Sequence, residues 1–201
     1  IARDVTDLVQ RWVRYDDPNF GLNLRDVTGY SDNNCDWREP RSHSPEDQAA
    51  ARRAMEFFLG WFADPVWKGD YPQVMKERAG NKLPVFTDAE KAMLKGSSDF
   101  FGLNTYSTMF AEQAHESGNG DFFADQRVAL SLDERWKLTD FNWAIVPWGC
   151  RKLLEWIRGR YDNPPVYITE NGCSFDDPPG QDGVIRDARR IEFYKGYLEA
   201  C

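Results

Sequence analysis

Histidine is nearly absent: only His43 and His115 occur in 201 residues. Four cysteines are present, Cys35, Cys150, Cys173 and Cys201, widely spaced and without a Cys-x-x-Cys pair. That scarcity and spacing argue against a metal centre built from His and Cys. There is no basic run, and the formal net charge is −8. Nucleic-acid binding, which needs a positive patch to meet phosphates, is not expected. No apolar run approaches about 18 residues, so neither a transmembrane helix nor a membrane partner is expected. No Asn-x-Ser/Thr sequon occurs, and the stretch from Ile1 does not read as a secretory leader. Four free thiols in a reducing compartment are the expectation, which favours a cytoplasmic location.

What is present is core material. Hydrophobic residues make up 41%, with 8 Trp, 8 Tyr and 13 Phe, enough for one sizeable core. Acidity with many aromatics suits a neutral sugar ligand, as it suits any soluble enzyme.

Residues 1–34 are the least readable. Val5, Leu8, Val9, Trp12 and Val13 fall at helical spacing, and Asp16-Asp17-Pro18-Asn19 would end that helix. Gly21 to Asn34, rich in Gly, Asn and Asp, reads as loop. Ser44-Pro45-Glu46-Asp47 then opens a helix, with Ser as N-cap and acids in the first turn. Its expected apolar stripe is Ala51, Met55, Phe58, Leu59 and Phe62, and Asp64-Pro65 is expected to end it. A short helix is expected near Gln73–Arg78. Thr87-Asp88-Ala89-Glu90 reads as a capping box for another, closed by Gly96. A strand is expected in Asp99–Ser107. Residues 110–138 read as a long polar loop, in which His115 is solvated. A helix follows at about Pro147–Arg158, with Leu153, Leu154 and Ile157 on its apolar face. Cys173–Gly183 reads as an acidic rim loop, and a further helix begins at about Ala188. That last helix has no stop signal before Cys201, which reads as truncation.

The most informative stretch is Pro164-Pro165-Val166-Tyr167-Ile168-Thr169-Glu170-Asn171-Gly172. It reads as a short buried strand that stops on a carboxylate, with Asn171-Gly172 turning the chain. Glu170 is then either a functional carboxylate at a strand's C-terminal edge or an acid capping an ordinary turn. Tyr106 is either a ligand-facing donor or a tyrosine packed at a strand end. Trp143 is either an aromatic wall or a buried tryptophan. Spacing alone leaves each pair open.

Tyr167-Ile168-Thr169-Glu170-Asn171-Gly172 resembles the nucleophile signature of glycoside hydrolase family 1, the retaining β-glucosidases. Asp36-Trp37-Arg38-Glu39-Pro40, Gly69-Asp70-Tyr71-Pro72, Phe101-Gly102-Leu103-Asn104-Thr105-Tyr106 and the Trp143 region resemble that family in the same order. The resemblance runs from about residue 35 to 201. It implies an α/β fold, part of a (β/α)8 barrel covering roughly strands five to seven and their helices, with 1–34 as an unmatched leader. A whole barrel needs about 250 residues or more.

The resemblance further implies Glu170 as nucleophile and Tyr106 as the phenol that holds it, with Asn104, Trp143 and Asn171 as substrate-binding positions. The substrate would be a β-linked glycoside or oligosaccharide, with no metal or organic cofactor. The family's acid/base motif, Asn-Glu-Pro, is not found. Glu39-Pro40 echoes it, but Arg38 precedes it, and Glu39 is not assigned that role. The chain would need the rest of the barrel and would self-associate without it. The competing reading is a non-catalytic remnant that binds sugars or is purely structural.

Overall fold

The computed structural model describes residues 30–114 and 122–201. The helix expected over Val5–Val13, and His115, lie outside the described residues.

Among the described residues, two three-stranded sheets organise the chain. The first holds β1 (Tyr30–Asn34), β3 (Phe100–Asn104) and β6 (Val166–Glu170), all parallel, with β3 in the centre. The second holds β2 (Trp37–Pro40), β4 (Thr108–Gln113) and β5 (Val128–Ser131). In it β2 runs parallel to β4, and β5 antiparallel. Residues 30–34 are therefore strand rather than loop. Tyr30 pairs with Phe100 and Asn34 with Asn104, and this ladder outweighs a polar, Asn-rich local sequence.

The helix opened by Ser44 forms as its caps dictate. The Ser44 hydroxyl accepts the Asp47 N–H at 3.1 Å, and Pro45 starts α1 (Pro45–Met55). The helix then widens into a π-turn, Glu56–Gly60, and resumes as α2 (Trp61–Lys68). The expected stop at Asp64-Pro65 is wrong. Pro65 sits inside α2, one turn past the π-turn where the ordinary hydrogen-bond register is already broken, and the stop comes at Gly69 with φ +92°. The π-turn also shifts the helix phase. Met55 and Leu59 are buried as expected, but Phe58 is 40% exposed and Phe57 is buried in its place.

Helices α3 (Gln73–Ala79) and α4 (Asp88–Leu94) follow, and both bonds of the Thr87–Glu90 capping box are present. Within the expected loop over 110–138, the described residues include the end of β4, α5 (Phe122–Gln126) and β5. These strands are half-exposed, and Glu112 and Gln113 mask their pattern. Pairing of β4 on both edges supplies what local propensity does not. Helix α6 (Pro147–Arg160) and helix α7 (Ala188–Ala200) complete the chain, with no helix or strand between Asn171 and Asp187.

The main core lies between β3 and the faces of α1, α2 and α6: Met55, Leu59, Ala63, Phe101, Leu103, Leu153, Ile157 and Tyr161. Each such large side chain contributes about 1.5–3 kcal/mol on leaving water. Arg160 of α6 crosses to α2, meeting Asp64 at 2.6 and 2.8 Å and Glu56 at 2.8 Å. Arg53 of α1 reaches the Gln126 and Arg127 carbonyls and Gln113, tying α1 to the second sheet. Burial, with Arg78 and Arg127 nearby, pulls the Arg53 pKa down to about 10. No helix among the described residues is long and apolar enough to cross a membrane.

Candidate active site

Glu170 is the last residue of β6, as the Asn171-Gly172 break implies. The strand is not buried, however. Val166 is half-buried, and the four residues from Tyr167 to Glu170 are exposed. Among the described residues β6 pairs only along its β3 edge, so its other edge is open. The Tyr167 ring meets Phe100 edge-on, 5.0 Å between centroids.

The β3–β6 pairing carries an irregularity at the site. Leu103 pairs with Ile168, but Asn104 pairs with Glu170, leaving Thr169 as an extra residue. The Thr169 hydroxyl donates to Asn104 Oδ1 at 2.6 Å, and the Thr105 N–H donates to the Glu170 carbonyl at 3.0 Å. Such a bulge re-aims the residue that follows it, and here that residue is Glu170.

Tyr106 lies two residues past β3, and its hydroxyl donates to Glu170 Oε2. The Trp143 ring lies tilted against Tyr106, 5.2 Å between centroids, and Phe141 meets Trp143 edge-on at 5.8 Å. Trp143 is 40% exposed and so is not a buried tryptophan. A tight turn presents it. The Thr139 N–H donates to the Trp143 carbonyl at 2.8 Å, the Trp143 N–H donates to the Thr139 hydroxyl at 3.2 Å, and Asn142 takes φ +59°.

The structure thus brings Tyr106, Glu170 and Trp143 together in one chain of contacts. Asn104 and Asn171 flank them but are engaged with neighbours. Asn104 is buried and accepts from Thr169, while Asn171 Nδ2 donates to the Thr105 carbonyl at 2.8 Å. Glu39 is elsewhere, on β2 of the second sheet. Its carboxylate accepts the Trp37 indole N–H at 2.6 Å and two bonds from Lys152 at 2.7 and 2.8 Å.

Several residues here were not singled out from the sequence. Asp36 Oδ1 accepts the backbone N–H groups of Tyr106 at 2.7 Å and Ser107 at 2.8 Å. The Ser107 hydroxyl bonds both the N–H and the carbonyl of Ala144, joining the Tyr106 and Trp143 segments. From α7, the Tyr197 hydroxyl donates to the Tyr106 carbonyl at 3.3 Å, and that of Tyr194 donates to the Asn171 carbonyl at 3.3 Å. Burial raises the Tyr197 pKa, so it remains a neutral donor. The one sequence signal for Asp36 was its place at the head of the Asp-Trp-Arg-Glu-Pro string.

All four cysteines are free thiols, and burial pushes the Cys35 and Cys150 thiols up to about 12. Among the described residues no three His, Cys, Asp or Glu side chains cluster as a metal site would require.

The family model for glycosyl hydrolase family 1 matches residues 26–201. That span takes in β1, which lies within the stretch expected to be an unmatched leader. β-Glucosidase 4 of Oryza sativa subsp. japonica is 38% identical over 174 residues, covering 82% of this chain and 36% of the rice protein. The human lactase-like protein is 41% identical over 179 residues, covering 82% and 31%. Among solved structures, a rice β-glucosidase mutant in a covalent complex with Glc superposes with a TM-score of 0.80 at 35% identity. It covers 85% of this chain and 38% of the rice one. β-Glucosidase 2 of the fungus Trichoderma reesei, in complex with Tris, gives a TM-score of 0.76 at 33% identity, covering 83% and 38%. The chain spans about a third of the length of these relatives. With strands, helices and the Tyr106–Glu170 pair all falling inside the matched span, this α/β chain, a partial barrel, belongs to glycosyl hydrolase family 1.

Proposed function

We propose that this chain carries the nucleophile half of a β-glycosidase acting by retaining double displacement. The observation that carries the proposal is the Tyr106 hydroxyl donating to Glu170 at the C-terminal end of β6. In α/β barrels that end of the strands is where chemistry is done. The Glu170 carboxylate attacks the anomeric carbon while the bond to the leaving oxygen breaks, giving a glycosyl-enzyme. A second carboxyl group, protonated at first, gives its proton to that oxygen, and as the resulting carboxylate it then takes a proton from the water that displaces Glu170 and releases the sugar. Retaining enzymes hold the two carboxyls about 5–5.5 Å apart. We assign the second to no residue of this chain, since Glu39 is spent on Lys152 and Trp37.

Tyr106 fixes the nucleophile's oxygen, and Trp143 offers an aromatic face to the aglycone. Asn104 and Asn171 contribute substrate contacts from the two strand ends. The covalent complex with Glc reported for the similar rice enzyme supports a covalent route. We further propose that β1, β3 and β6 are barrel strands five, six and seven, since they are consecutive, parallel neighbours. Residues 35–201 then belong to one catalytic domain, which β1 joins. The substrate is a β-linked glycoside, and the chemistry uses no metal or organic cofactor.

A second reading, a non-catalytic chain that binds sugars or is structural, is favoured by the exposure of β6 along four of its five residues. Incubation with an activated 2-deoxy-2-fluoro-β-glucoside separates the two. The fluorine slows turnover of the glycosyl-enzyme, so intact mass followed by peptide mapping finds an adduct on Glu170 if the first reading holds. No adduct on a folded sample leaves the second reading. Sedimentation of the same sample is expected to show self-association through the open β6 edge.

A further inference from the structure

Tyr106 lies just outside the strands. It falls in the three residues between β3 and β4. Its peptide groups bond side chains from two distant parts of the chain. Asp36, between β1 and β2, accepts the Tyr106 N–H at 2.7 Å and the Ser107 N–H at 2.8 Å, with the Thr105 hydroxyl at 3.5 Å. Tyr197 of α7 donates to the Tyr106 carbonyl at 3.3 Å. It is itself fixed, because its oxygen accepts the Val146 N–H at 3.2 Å and its ring stacks on Phe193 at 4.3 Å.

A carboxylate accepting backbone N–H groups makes charge-assisted bonds, roughly twice as strong as neutral ones. Asp36 therefore organises three consecutive residues, Thr105, Tyr106 and Ser107, around one oxygen. Ser107 continues the scaffold to Ala144, next to Trp143. Both polar backbone groups of Tyr106, whose hydroxyl reaches the Glu170 carboxylate, are thus held by side chains from outside its own strand.

We infer that Asp36 and Tyr197 are positioning residues that hold the Tyr106 hydroxyl on the Glu170 carboxylate. This rests on the reading of Glu170 as nucleophile and deepens it. Neither residue touches the reacting atoms. Asp36 sets the direction of the Tyr106 side chain through the N–H on one side of its α-carbon, and Tyr197 through the carbonyl on the other.

The test reads the Tyr106–Glu170 contact without needing turnover. The protein is labelled with tyrosine carrying carbon-13 at Cζ, and the Tyr106 line is identified by its loss in Tyr106→Phe. In the native background Glu170→Gln is expected to move that line, because a carboxylate acceptor becomes a neutral amide. In Asp36→Ala the line is expected to lose its response to Glu170→Gln. Asp36→Asn, which keeps an acceptor oxygen, is expected to restore part of the response, and Tyr197→Phe to weaken it. A full response in Asp36→Ala overturns the inference, as does no response in the native background. Should Asp36→Ala fail to fold by circular dichroism, the other two variants decide, and a full response in both overturns it. Fluoroglycoside labelling reports separately. If the Tyr106 line behaves as expected and Glu170 takes no label, the nucleophile reading fails and the positioning of Tyr106 stands.

Discussion

Tyr106 donates its phenolic hydrogen to Glu170 from 64 positions away in the chain, across neighbouring parallel strands. The contact exists because β3 and β6 end level with each other and the Thr169 bulge brings Glu170 opposite Asn104. Removing the hydroxyl alone, in Tyr106→Phe, leaves the ring against Trp143. Tyr106 holds the carboxylate in its attacking position, and misplacing a reacting group by about 1 Å can cost about 10²-fold. The rate of fluoroglycoside labelling is expected to fall by about that factor, while Glu170→Gln abolishes labelling.

The Arg160 cluster makes a stability prediction. Asp64 is buried, accepts two bonds from Arg160 and takes the Tyr161 hydroxyl at 2.8 Å. Burial pulls the Arg160 pKa down, but Asp64 more than offsets this, and the guanidinium stays charged. Asp64→Ala leaves that charge without its main partner, at a cost of about 3–5 kcal/mol. Replacing both, as Asp64→Leu with Arg160→Met, is expected to cost less than Asp64→Ala alone. Urea denaturation of the two variants checks this order.

Asp47 predicts a pH dependence. Hydrogen bonds from Ser42 and from the Gln113 N–H hold its carboxyl below the usual 3.8. Folded Asp47 therefore releases its proton more readily than unfolded Asp47. Its contribution is fully present above pH 3.8 and fades as the pH falls through the lowered folded value. Asp47→Asn is expected to lower the melting temperature at pH 7. The gap from native is expected to shrink toward pH 3.

Two glycines of α6 should respond oppositely to the same change. A Cβ at Gly149 would overlap the buried side chain of Thr108, whose Oγ1, Cβ and Cγ2 all crowd that position, so rotating the threonine makes no room. Gly149→Ala is expected to lose about 1–3 kcal/mol through overpacking. At Gly159 a Cβ meets no atom of the described residues within 4 Å. Gly159→Ala is expected to gain about 0.5–1 kcal/mol, because alanine is the better helix former. Thermal unfolding of the pair reads both signs.

Elements signalled by local chemistry were legible from the residues alone. The Ser44 cap, the Thr87–Glu90 box and the Pro147 start depend on atoms within a few positions of one another. So does the end of β6 at Glu170, where Asn171-Gly172 follows. What depended on distant partners was not legible. β1 forms because β3 lies beside it, and β4 because β2 and β5 flank it. The π-turn moved burial from Phe58 to Phe57, a phase change that no regular helical period expresses.

The same division holds at the site. The sequence by itself determined that a glutamate ends a short strand before a tight turn, and that a tyrosine and a tryptophan lie in segments resembling those of one family. Turn chemistry and motif order are local, and they are written in consecutive residues. Only the tertiary structure decided that Tyr106 reaches Glu170, that Asp36 and Tyr197 hold the Tyr106 backbone, and that Glu39 is paired with Lys152 on another sheet. Those bonds join residues 64 to 113 positions apart. Hydrogen bonds act over about 3 Å, so these form only after strand pairing and helix packing have brought the groups together.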